Sequence, residues 1–82
     1  MPPICSAEFL VEPFEVGQPG PHVVAAIEAV RELGFEPVVG PFGTTIEGDS
    51  ERIVEAVKKL LDAATRAGAS RVSVQVDACN HD

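Results

Sequence analysis

The order in which strand-like and helix-like periodicities follow one another is the feature that most constrains the fold of this chain. Residues 4–12 alternate, with one parity apolar and the other largely polar, which predicts a half-buried strand. From His22 to Leu33 the apolar residues recur every three or four positions, as on one face of a helix. Gly34 follows at a position where helices commonly end, so the sequence predicts a strand followed by a helix.

A hairpin, a second helix and a last strand complete the pattern. The predictions are strands at Phe35 to Val39, Thr44 to Glu47 and Arg71 to Asp77, a helix that follows Gly48-Asp49-Ser50 and runs to Ala67, and a loose polar tail at 78–82. The Gly-Pro-Phe-Gly link between the two middle strands has turn chemistry, which predicts the hairpin. Asp49 and Ser50 offer a helix N-cap, and the last strand alternates valines with polar residues.

This βαββαβ order predicts the α+β ferredoxin-like sandwich, in which two helices cover one face of a four-stranded antiparallel sheet. The usual spatial order of the strands is 4-1-3-2, which makes the second strand an edge. Pro37 lies in that strand, and a proline is tolerated at an edge but not in a central strand. The chain of 82 residues has the length of one domain, and a domain this small is often helped by self-association.

Composition excludes several function classes. Thirteen acidic residues against six basic ones give a net charge of −7, so a nucleic acid is a poor partner. The sequence contains neither an apolar run long enough to span a membrane nor a signal peptide, and we expect a cytoplasmic protein. The open sheet face carries no aromatic residue in its central strands, which excludes base stacking as in RNA-binding domains. That face is acidic instead, either as a solvated surface or as a polar recognition surface.

The link and the third strand, Gly-Pro-Phe-Gly-Thr-Thr-Ile-Glu-Gly at 40–48, form the most specific motif. Threonine hydroxyls and a carboxylate can pair with the ring nitrogen and exocyclic amine of an aminopyrimidine, although an ordinary hairpin and helix entry uses the same residues. Together with Phe-Leu-Val-Glu-Pro at 9–13 and Gly-Ala-Ser-Arg-Val at 68–72, the motif resembles the thiamine-binding (YkoF-like) family. The resemblance spans nearly the whole chain.

The resemblance implies a ferredoxin-like domain that assembles into dimers or tetramers through its sheets. It also implies binding of thiamine or its hydroxymethylpyrimidine precursor, without catalysis and without a cofactor. The residues predicted to bind the ligand are Thr44, Thr45 and Glu47, with Gly43 allowing close approach, Glu8 from the acidic open face, His22 at the helix start, and Phe42 and Leu10 as an apolar wall. At Leu10 and Glu12 the chain departs from relatives, which often have a small polar residue and an aromatic one there.

Other chemistry has weaker support. Cys5, Cys79, His81 and Asp82 lie near paired strand ends, but the two cysteines have opposite strand parity, which disfavours a disulfide or a zinc site. The link lacks the lysine of a phosphate-binding loop, and the first loop lacks the arginine that a phosphate-cleaving enzyme on this fold would use. The sequence therefore predicts a non-catalytic binder of thiamine or its pyrimidine moiety. The competing interpretation is an oligomeric structural or regulatory module that binds no ligand.

Overall fold

The computed structural model describes residues 3–15, 17–41 and 43–78. The elements, in chain order, are β1 (Ile4–Glu12), α1 (Pro21–Glu32), β2 (Val38–Val39), β3 (Thr44–Asp49), α2 (Ser50–Arg66) and β4 (Arg71–Ala78). The four strands form one antiparallel sheet in the order β2-β3-β1-β4. The predicted α+β fold class and the predicted strand order are therefore confirmed. The predictions for Phe42, Cys79, His81 and Asp82 concern residues outside the described ranges.

Both helices begin and end where local chemistry favours it. Pro21 occupies the first turn of α1, where its missing N–H removes no helical hydrogen bond. The Asp49 side chain caps α2 by accepting a hydrogen bond from the backbone N–H of Arg52 at 2.9 Å. After α1 the chain turns at Gly34, whose φ of 93° lies in the left-handed region that glycine adopts without steric cost.

The core lies between the helices and the inner face of the sheet. The buried apolar side chains are Cys5, Ala7, Phe9, Val11, Ala26, Val30, Phe35, Ile46, Ile53, Ala56, Leu60 and Ala64. Strand β1 contributes every second residue to this layer, as the period of two requires, and Val72 and Val74 of β4 are partly buried and pack against it. The opposite face of the sheet is not covered by a helix, so the alternate residues of β1, β3 and β4 form an open face.

Strand β2 is shorter than predicted. It contains only Val38 and Val39, because Pro37 has no N–H to donate and Phe35 packs into the core instead of extending the ladder. The guanidinium of Arg52 lies 4.4 Å from the centre of the Phe35 ring and donates to the carbonyl of Leu33 at 2.9 Å. This packing fixes the segment between α1 and β2. Conversely, β3 and β4 extend past their predicted ends, to Asp49 and Ala78.

Candidate functional site

A pocket opens where the hairpin link leaves the sheet. The ladder between β1 and β3 ends at the pair Phe9 and Thr44, so the last residues of β1 have no β3 partner. The two ends of the link are joined by a hydrogen bond from the N–H of Gly40 to the carbonyl of Gly43, 2.7 Å long. The gap left between the end of β1, the link and the start of α1 has a volume of about 370 Å³. This is within the usual range for small-molecule sites.

The walls of this pocket, here called the link pocket, are mostly apolar. They are formed by Phe9, Leu10, Val11, Phe14, Glu15, Gly17, Pro19, Val23, Ile27, Val39, Gly40, Pro41, Gly43 and Thr44. The lining includes Val23 and Ile27 from α1 and Pro41 from the link. An open pocket with apolar walls can pack against a flat ring, and polar groups at its rim can orient that ring.

Thr44 and Thr45 point to opposite faces of the sheet, because neighbouring strand residues alternate. Thr44 is paired with the core residue Phe9, is only 5 % exposed, and lines the link pocket. Within the described part of the chain its hydroxyl makes no hydrogen bond. Thr45 lies on the open face beside Glu8. The two threonines therefore cannot present their hydroxyls to a ligand from the same side.

Glu8 lies on the open face beside Gly43, at the rim of the link pocket and not among the residues that line it. Its register neighbours are Thr45 on β3 and Gln75 on β4. A Cβ placed on Gly43 would lie 3.3 Å from Cγ of Glu8 and 3.2 Å from the carbonyl oxygen of Phe9. The glycine thus allows the link to pass close to β1 and brings the Glu8 carboxylate beside the pocket wall.

Leu10 joins the two faces of this region. It lines the link pocket and also a shallow hollow of about 260 Å³ on the open face, together with Glu8, Ser73, Val74 and Gln75. The apolar wall predicted at Leu10 is therefore present at the pocket, and it stands next to the one predicted carboxylate that reaches the rim.

Glu47 lies in a different place. It is exposed on the open face and paired with Ser6, and it borders a separate groove with Phe35 and Arg52. It lies four residues beyond Gly43, which corresponds to about 13 Å along the strand direction. Glu47 and the link pocket are thus too far apart for one small ring to contact both.

His22 is engaged with the protein backbone. Its Nε2 hydrogen-bonds to the carbonyl oxygen of Pro13, which ties the loop after β1 to the first turn of α1. His22 is absent from the residues that line the link pocket, whereas its neighbour Val23 is present. The structure therefore gives the imidazole a role in shaping one side of the pocket.

Sequence reasoning did not identify Phe14, Glu15, Pro19, Val23 and Ile27 as pocket residues. Val23 and Ile27 carry a signal, because they lie on the apolar face predicted for the first helix. Phe14 and Glu15 follow a strand-ending proline, and nothing in their pattern distinguishes a pocket wall from an ordinary loop.

The described residues contain no candidate metal-binding site. No group of three or more His, Cys, Asp or Glu side chains in residues 3–15, 17–41 and 43–78 is arranged to hold a metal ion. Cys5 is a buried free thiol on the core side, as its strand parity predicts. No helix in the described residues is long and apolar enough to cross a membrane.

Comparison with known proteins identifies the family. The model of the family described as thiamine-binding protein matches residues 7–80. The chain therefore belongs to the thiamine-binding protein family. No curated protein sequence matches it.

Solved structures with the same fold include three from different organisms. A domain of unknown function, DUF77, from Bacillus cereus is 25 % identical, with a TM-score of 0.67 over 96 % of this chain and 77 % of that one. A protein from Thermotoga maritima, provisionally assigned to thiamine biosynthesis or salvage, is 26 % identical, with a TM-score of 0.55 over 93 % and 82 %. A hypothetical protein from Methanocaldococcus jannascii, 21 % identical, has a TM-score of 0.71 over 96 % and 81 % and shows the fold alone.

Proposed function

We propose that this protein is a non-catalytic cytoplasmic binder of thiamine or of its hydroxymethylpyrimidine precursor. The observation that carries the proposal is the link pocket, an apolar cavity of about 370 Å³ with a nearly buried threonine in its wall and a carboxylate at its rim. Membership of the thiamine-binding family supports the ligand class. The Thermotoga maritima structure, with its provisional thiamine assignment, supports it further.

The chemistry of the pocket matches an aminopyrimidine. The ring packs between the α1 side chains Val23 and Ile27 and the link residue Pro41. In this proposal the Thr44 hydroxyl donates to a ring nitrogen from the core side of β3. The Glu8 carboxylate lies on the open side and accepts a hydrogen bond from the exocyclic amine past Gly43, where no side chain stands between them. Because a hydrogen bond to a charged group contributes more than a neutral one, Glu8 supplies most of the polar selectivity.

The remainder of thiamine is a cationic thiazolium, which the protein attracts through its charge. The net charge of −7 favours approach of a cation, and salt reduces this attraction beyond about 8–10 Å. Glu15 lies in the lining of the pocket and supplies a further carboxylate there. Selectivity for the pyrimidine and attraction of the thiazolium are therefore separable.

Titration calorimetry with three ligands tests the proposal. Thiamine and hydroxymethylpyrimidine should both release heat, and the isolated thiazole alcohol, which lacks the aminopyrimidine, should bind more weakly than either. Thr44→Val keeps the volume and removes the hydroxyl, so it should weaken both pyrimidine ligands. A correctly folded protein that gives no heat with any of them at high micromolar concentration would contradict the proposal. That result would support the alternative, a structural or regulatory module without a ligand.

Self-association is also part of the proposed function. The family resemblance implies dimers or tetramers, and the open face of this sheet leaves polar and apolar groups available for a partner copy.

A further inference from the structure

The loop between β1 and α1 brings side chains to the link pocket that the aminopyrimidine contacts do not use. The structure describes residues 13–15 and 17–20 of this β1–α1 loop. Phe14 and Glu15 both line the pocket, and Glu15 is the only charged residue among the described residues that line it. Phe9 also lines the pocket but is only 2 % exposed, whereas Phe14 is half-buried and retains accessible surface. An accessible aromatic ring and a carboxylate therefore lie next to one another in the sequence of the pocket lining.

An aromatic ring together with a carboxylate is a combination that recognises a cationic organic group. The negative face of the aromatic ring attracts a cation, and the carboxylate adds a direct attraction between opposite charges. A neutral ring of the same shape would gain only apolar packing at this place. The loop therefore offers chemistry for a cationic ring, which differs from the hydrogen-bonding chemistry of Thr44 and Glu8.

Hydrogen bonds to two successive carbonyl groups hold the beginning of the loop. The carbonyl of Glu12 accepts from the backbone N–H of Ser70 at 2.8 Å and from the Ser70 hydroxyl at 3.2 Å. The next carbonyl, that of Pro13, accepts from Nε2 of His22 in the first turn of α1. The two loop residues that line the pocket follow immediately after this anchored pair, so their position depends on it.

Glycine at position 20 makes room for the imidazole of His22. A Cβ placed on Gly20 would lie 2.6 Å from Cε1 of the imidazole and 3.0 Å from its Nδ1. The backbone of Gly20 has a φ of −74°, which alanine adopts without strain, so a Cβ there would displace the ring and not the backbone. Gly20→Ala therefore separates His22 from Pro13 without changing any residue of the pocket lining.

We propose that the β1–α1 loop is a specificity loop that recognises a cationic ring in the ligand. Phe14 and Glu15 contact that ring, and His22 is a positioning residue that acts through the carbonyl of Pro13. In thiamine the cationic ring is the thiazolium, so this inference rests on the proposed function and assigns contacts to the second half of the ligand. The loop selects by charge: an aminopyrimidine that carries a cationic ring binds more tightly than a neutral ligand of the same shape.

A matched neutral ligand tests this selection in the unmodified protein. In the analogue a thiophene ring replaces the thiazolium, which keeps the shape of thiamine and removes its positive charge. Titration calorimetry at about 0.15 M salt should give thiamine an affinity at least about fivefold higher than that of the analogue. At this salt concentration the long-range attraction of the cation to the net charge of the protein is largely screened.

Glu15→Gln and Phe14→Leu test the two contacts. Each should lower the affinity for thiamine by about 2- to 10-fold, because the first removes the charge and the second removes the aromatic face. The affinity for hydroxymethylpyrimidine, which has no cationic ring, should change by less than about twofold. Glu55→Gln, at an exposed position of α2, changes the net charge by the same amount as Glu15→Gln and is the matched control. It should leave both affinities within about twofold of the wild type.

Substitutions at His22 and Gly20 test the positioning role. His22→Ala and Gly20→Ala should each lower the affinity for thiamine by about threefold or more, and the double variant should bind no more weakly than either, because both substitutions break the same contact. His22→Gln, whose amide N–H can replace the Nε2 donor, should retain the affinity. Additive losses, or a loss in His22→Gln equal to that in His22→Ala, would contradict the role of His22. Circular dichroism checks the fold of each variant.

The ligand series separates a failure of the specificity loop from a failure of the proposed function. If hydroxymethylpyrimidine binds while thiamine and its neutral analogue have equal affinities, the specificity loop is wrong and the ligand proposal stands. A loss in Glu15→Gln that Glu55→Gln reproduces would also overturn the specificity loop, because long-range charge would then explain the preference. A folded protein that binds none of the three ligands would overturn both proposals.

Discussion

Replacing Glu8 by glutamine tests which carboxylate recognises the ligand. The substitution keeps the size of the side chain and removes the charge that accepts the exocyclic amine. A hydrogen bond to a charged group contributes about 1.5–3 kcal/mol when it is shielded from water. Because Glu8 is exposed at the pocket rim, solvent screening reduces this to about 1–2 kcal/mol, or a loss of about 5- to 30-fold in affinity.

Glu47→Gln is the matched control for that measurement. Glu47 is also exposed on the open face, but it lies about 13 Å along β3 from the link and borders another groove. We expect its replacement to change affinity for hydroxymethylpyrimidine by less than about twofold. The assay is calorimetric titration of both variants and the wild type with this uncharged ligand, which minimises long-range charge effects. A large loss in Glu47→Gln with none in Glu8→Gln would refute the placement of the ligand in the link pocket.

Two stability predictions follow from the packing of α2. Leu60 is fully buried in the core, so Leu60→Ala should lower the free energy of unfolding by about 2–5 kcal/mol, measured by denaturant titration. A loss below about 1 kcal/mol would contradict its core position. Asp49→Ala removes the N-cap hydrogen bond from the N–H of Arg52 and should lower the free energy of unfolding by about 1 kcal/mol, which lowers Tm by about 4–8 °C in thermal melts. An unchanged Tm would mean that this cap does not stabilise the protein.

The architecture of this protein follows from local patterns. Alternating apolar residues identify β1 and β4 as strands, and apolar residues every three or four positions identify α1 and α2 as helices. The spacing differs because a strand buries every second residue and a helix buries one face. The edge position of β2 is predicted by the usual strand order of the fold, and the presence of Pro37 agrees with that position. What local pattern did not predict was the length of β2, since the burial of Phe35 depends on the tertiary contact with Arg52.

The candidate site was only partly predictable for a similar reason. A period of two already implies that Thr44 and Thr45 face opposite sides of β3, and the open-face parity identified Glu8. The pocket itself depends on where the link departs from β1 and on how the loop after β1 folds against α1. Those features bring Phe14 and Glu15 to the ligand region through three-dimensional packing, which spacing along the chain does not encode.

The most direct test of the central claim is a crystal structure of the protein soaked with hydroxymethylpyrimidine. We expect density for the ring beside Val23, Ile27 and Pro41, with the exocyclic amine within about 3.2 Å of the Glu8 carboxylate. Density for the ring beside Glu47 and Arg52, with the link pocket empty, would contradict it.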